Sequence, residues 1–115
     1  MKIDTKFGQV SITNDVFNTI TGSAASSCYG VKGMAFTSKT DGLVHLLKRE
    51  SMAKGVKVTL NPDESVSIEL HIIVNHGVNL AAVCRSIMQE VSYVVTDITG
   101  VPVKDIDIYI DGMRF

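Results

Sequence analysis

Residues Gly30-Val31-Lys32-Gly33 form a G-x-x-G with a lysine inside it. KH domains use that pattern to clamp an RNA backbone. There the loop joins two helices, whereas here Gly33 leads into the apolar run Met34-Ala35-Phe36. Lys32 is the one nearby cation and Tyr29 the one nearby ring, well short of a platform for stacked bases. The preferred reading is a backbone turn between a helix and a strand. A phosphate-contacting loop at Gly30, Lys32 and Gly33 is kept as the alternative.

The other groups capable of chemistry do not converge in sequence. His45, His71 and His76 make no H-E-x-x-H, and Cys28 and Cys84 add no recognised metal-ligand spacing. Ser23, Ser26 and Ser27 cluster on one helix without a G-x-S-x-G elbow. Asp105, Asp107 and Asp111 could share one strand face and hold a divalent cation. Without an EF-hand glycine or closing glutamate, acids blunting an edge strand are the simpler account. No catalytic residue, metal or cofactor is expected. Lys48, Arg49 and Lys54, beside Leu43, Leu46 and Leu47, make a basic amphipathic stretch. With Lys57 they form a candidate interaction surface, although such leucines more often enter a domain core than lie on anionic lipid.

Hydrophobic periodicity supplies the elements that would carry these groups. Gly8 to Ile12 alternates as a short strand, and Thr13 or Asn14 caps a helix over residues 14–28 with Val16, Phe17, Ile20, Ala24 and Cys28 inward. Gly30 suits a helix C′ position, where φ is positive. Met34-Ala35-Phe36 follows as a strand. Residues 38–41 read as loop, and Asp41 as the cap of a second helix over residues 41–54 that Gly55 stops. Val56, Val58 and Leu60 then return through Asn61-Pro62-Asp63-Glu64 to Val66, Ile68, Leu70, Ile72 and Val74, a hairpin with a polar face at Lys57, Thr59, Ser65, Ser67, Glu69 and His71. Asn79 caps the longest helix, striped by Leu80, Cys84, Ile87, Val91, Val94 and Ile98 and ended by Gly100 and Pro102. Ile106, Ile108 and Ile110 form the last strand, with a register shift at Gly112. The order is β-α-β-α-β-β-α-β. It predicts an α+β two-layer sandwich, a mostly antiparallel sheet packed by helices.

A chain of 115 residues is one domain's worth, read as a single unit over 1–115. Apolar residues at 45% and charged residues at 20% exclude a disordered chain. No apolar run approaches the roughly 20 residues that cross a bilayer, and no signal peptide is recognised, so no membrane insertion is expected. The two thiols fit a reducing cytoplasm. Residues 1–60 sum to +4 and residues 61–115 to −5, an asymmetry that would serve head-to-tail association or polyanion binding, although scattered solvating charge is the simpler account.

Together these pieces resemble the alkaline-shock-protein family, the envelope stress response proteins of Gram-positive bacteria. The resemblance rests on residues 5–12 before the capped helix, Cys28 to Ala35, Asp41-Gly42-Leu43, Lys54 to Val58, Ile72-Ile73-Val74 and Ile108 to Arg114. It is closest to the short single-domain type. It implies a non-catalytic cytoplasmic protein of cell-envelope homeostasis, a scaffold or adaptor that forms homo-oligomers. Its implied partner is a membrane-anchoring protein or an enzyme of fatty-acid metabolism, so that it sits near the membrane through that partner. A KH-like nucleic-acid-binding module is the alternative function.

Overall fold

The computed structural model describes residues 1–37, 42–47 and 49–115. Its centre is β6 (Val66–Asn75), whose alternation buries Val66, Ile68, Leu70, Ile72 and Val74 on one face. One edge of β6 is occupied along its length by β7 (Val103–Arg114), in parallel. The other edge is divided end to end. β5 (Val56–Leu60) pairs antiparallel with residues 66–70, and β3 (Val31–Thr37) with residues 72–74. β4 (Val44–Leu46) lies outside β3. A separate ribbon of β1 (Lys2–Thr5) and β2 (Gly8–Ser11) precedes α1 (Asn14–Ser26). α1 and α2 (Leu80–Thr99) pack on the apolar face, contributing Phe17 and Ala25, and Ile87, Val91 and Val95, to the core around Met34 and β6. The class is α+β, a mostly antiparallel sheet layered with helices, as the periodicity predicts.

The seam between β3 and β5 explains Gly55. A Cβ there would lie 2.9 Å from the Ala35 carbonyl oxygen and 3.2 Å from that of His71. Glycine is required for space, because this is where one strand leaves the β6 edge and the next joins it. Elsewhere local chemistry ends the elements as expected. The Asn79 side chain accepts from the Ala82 N–H at 3.0 Å, and Gly100 closes α2 at φ 75°. The register between β6 and β7 skips between Ile72/Ile110 and Ile73/Gly112, which leaves Asp111 as the bulged residue.

Four expectations are corrected. The helix over residues 41–54 does not form. Val44–Leu46 pairs as β4 with Ala35–Thr37, and Arg49–Gly55 is a 3-10 turn occupying the second helical place in the order. The leucine spacing fits a helix, but a free edge of β3 offered backbone bonds that outweighed a weak propensity. The Asp41 cap and the 38–41 loop lie outside the described residues. Secondly, the buried stripe of α2 is Val83, Ile87, Val91 and Val95, an i, i+4 row; Leu80 is 39% and Ile98 61% exposed. A helix crossing a sheet and one neighbouring helix presents a single ridge, not the alternating seam of a coiled coil. Thirdly, the first strand has a partner, β1, whose residues Lys2-Ile3-Asp4-Thr5 hold a single apolar position and so show no alternation. Finally, α1 stops at Ser26, so Gly30 takes its positive φ of 89° in the turn beyond the helix.

Two substitutions test this packing by urea denaturation. Ile87→Ala is expected to cost about 2–5 kcal/mol and Ile98→Ala within about 0.5 kcal/mol, whereas a coiled-coil-like stripe would make the losses similar. Gly55→Ala is expected to cost about 1–3 kcal/mol; an unchanged midpoint would contradict the crowded seam.

Candidate functional site

The structure separates the groups singled out by sequence into two regions. At the end of α1, Gly30 lies against α2: a Cβ there would sit 2.7 Å from Val83 Cγ2. Its carbonyl accepts from the Asn75 N–H at 2.9 Å. Gly33 is inside β3, where a Cβ would come 2.9 Å from Leu46 Cδ1. Between them the register of β3 on β6 shifts, and the exposed Lys32 side chain reaches the Phe115 carbonyl oxygen at 2.9 Å. The G-x-x-G thus connects a helix to a strand, packs through both glycines, and directs its ammonium group at the end of β7. Lys32 also borders a cleft of about 330 Å³ with Ser23, Ser26, Ser27, Met34 and Met52. Its hydroxyls are partly engaged, Ser27 Oγ donating to the Ser23 carbonyl at 2.9 Å.

The basic set is only partly assembled. Lys48 lies outside the described residues, and Arg49 begins the 3-10 turn. Lys54 and Lys57 border a shallow cleft of about 240 Å³ together with Phe36, Glu69 and His71. This cleft opens on the sheet face away from the helices. There β5, β6 and β7 set Lys57, Glu69 and Asp107 in one cross-strand row, and Thr59, Ser67 and Asp105 in the next.

Beside them lies a cluster that sequence reasoning missed. His71 Nδ1 is 2.9 Å from Asp111 Oδ2, its Nε2 is 3.4 Å from Glu69 Oε2, and its ring stacks on Tyr109 with centroids 4.8 Å apart. The bulge at Asp111 turns that carboxylate toward the histidine. A signal existed in the paired spacings Glu69-x-His71 and Tyr109-x-Asp111, but only the parallel register of β6 and β7 brings them together. Each ring nitrogen faces a carboxylate oxygen. Both ring nitrogens are thereby committed to neighbours, which makes the cluster a brace between strands. Among the described residues, no group of three or more His, Cys, Asp or Glu is arranged to hold a metal ion.

Among the described residues two titrating groups are shifted, both away from this face. The Ser65 hydroxyl donates to Asp63 Oδ1 at 2.6 Å and its N–H at 3.2 Å, which holds the Asp63 carboxyl below the usual carboxylate range. Burial pushes the Cys28 thiol up, and the negative charge of Glu90 adds to this, while a hydrogen bond with Ser86 opposes it. Both cysteines are free and half-buried.

Comparison with known proteins follows the same pattern of extensive likeness without an assigned chemistry. The model of the alkaline-shock-protein family, described as having a cell envelope-related function, matches residues 2–115. The uncharacterised protein YloU of Bacillus subtilis (strain 168) is 35% identical over 115 residues, 99% of this chain and 95% of its own. The uncharacterised protein Spy1614 of Streptococcus pyogenes serotype M6 is 30% identical over 115 residues, 99% and 94% of the two chains. The uncharacterised YqhY of B. subtilis is 32% identical over 112 residues, 97% and 82%. No solved structure matches.

The shifted thiol is testable by alkylation. At pH 8 iodoacetamide is expected to modify Cys28 more slowly than a free thiol, and Glu90→Gln is expected to accelerate it, since less negative charge favours the thiolate. Equal rates in the two proteins, followed by mass spectrometry, would remove Glu90 as a cause.

Proposed function

The chain belongs to the alkaline-shock-protein family, whose function is cell envelope-related, and on that footing we propose that it acts as a non-catalytic scaffold or adaptor on the cytoplasmic side of the envelope. Its work is contact with other protein chains, including further copies of itself. Among the described residues no helix is long and apolar enough to cross a membrane; in this reading the chain sits near the bilayer through a partner.

The observation that carries this reading is the ribbon of β1 and β2. It packs on itself far more than on the rest of the chain, and β2 is exposed along its whole length. Phe7 stands at its tip 96% exposed, with Val10 half-exposed behind it. A hydrogen bond from Phe7 N–H to Thr5 Oγ1 and another from Thr5 Oγ1 to the Gly8 carbonyl shape the tip. The base is held by reciprocal backbone bonds between Met1 and Ile12, at 2.6 and 2.7 Å. A two-stranded ribbon in water is at best marginally stable. An aromatic ring at the end of such an arm gains burial only against another molecule, and that is what an assembling protein requires of it.

Light scattering behind size-exclusion chromatography tests this at low and high salt. The chain is expected to form oligomers, and Phe7→Ser to shrink them while leaving folding stability within about 0.5 kcal/mol. A monomer at both salts that also cross-links to no envelope protein in cells would overturn the proposal.

A further inference from the structure

β7 is a 12-residue strand with one paired edge. Among the described residues no strand bonds to its outer edge. Natural proteins shorten, cover or charge such an edge, because its free N–H and C=O groups are a template for another strand, and the acids of β7 repel a like-charged strand but not a basic one. Burial shows the same incompleteness. Ile68, Leu70 and Ile72 of β6 are fully buried, while their β7 partners Ile106, Ile108 and Ile110 are only half-buried. One more strand would complete their cover.

Charge defines which strand. On the opposite face Asp105 and Asp107 are exposed, and neither makes an ion pair among the described residues. Asp107 stands beside Glu69, an acid, and Lys57 is on the far side of Glu69. A strand added to β7 would lie about 4.8 Å away. Its side chains facing Asp105 and Asp107 meet unneutralised carboxylates, and acidic side chains there are rejected. A second copy of β7 fits poorly, because antiparallel pairing about Ile106 sets Asp105 against Asp107 twice over.

We propose that the outer edge of β7, up to the bulge at Asp111, takes up an extended segment of a partner protein in which basic and apolar residues alternate. Main-chain bonds to the edge supply affinity. The apolar residues extend the cover over Ile106 and Ile108, and the basic ones answer Asp105 and Asp107. This surface is distinct from the β1–β2 ribbon and does not depend on it.

The test uses a blocked peptide alternating lysine and valine, its twin alternating glutamate and valine, and the full chain carrying Phe7→Ser, so that self-association through the ribbon does not enter. Fluorescence anisotropy is expected to show binding of the lysine peptide, weakened by salt and by about tenfold or more in Asp105→Lys/Asp107→Lys. The glutamate peptide is expected to prefer that double variant. Hydrogen exchange is expected to slow at β7 amides when the lysine peptide is added. Equal binding to the double variant, no binding at millimolar peptide, or protection elsewhere would overturn the proposal. So would protection of β7 in the protein alone rising with concentration, since a second copy would then be the occupant.

Discussion

β6 has two edges, and three strands need them. One side goes whole to β7; the other is shared by β3 and β5, which meet head to tail at residue 71. The sharing works only if the chain can pass between two carbonyl oxygens at the seam, and Gly55 is the residue that lets it. Much else follows from this arrangement. The 3-10 turn over Arg49–Gly55 must bring the chain from β4 to the start of β5, packing between α1 and β3 on the way. Both helices then have one continuous apolar face to cover, and the opposite face is left to water and to the polar rows.

The sequence was informative wherever a signal is local. The β5–β6 hairpin, the Asn79 cap, the Gly100 stop and the slip at Gly112 all depend on neighbours within a few positions, and each stands where periodicity places it. The segment around Leu43–Leu47 misled because helical spacing over so few residues is a weak preference, and the bond partners of Val44–Leu46 lie across a strand edge. The face of α2 misled for a related reason. Val83 and Val95, or Leu80 and Ile98, fit a stripe about equally well until the location of α1 is known. Parallel pairing leaves no mark in alternation at all, so the stack of His71 on Tyr109 could not be read from either strand alone.

The same distinction applies to the site. Gly30 and Gly33 announce themselves as a motif, yet each touches a packed side chain, Val83 or Leu46, and their lysine meets the Phe115 carbonyl. His71 sits in an ordinary alternating strand, yet on the open face its ring meets Asp111, Glu69 and Tyr109. Motif recognition found the turn and missed the brace. What remains conspicuous on the surface is shape and edge: an arm tipped by Phe7 and the long flank of β7.

The parallel pairing of β6 with β7 also dictates the order of events as the chain folds. β5 finds β6 across a turn of a few residues, whereas β7 reaches it only after α2 has carried the chain back along the sheet. Closing that longer loop costs entropy before any contact repays it. By loop length β7 is thus the last strand to join β6, and until it does one edge of the central strand is open. Exchange of strands between neighbouring nascent chains is easiest then.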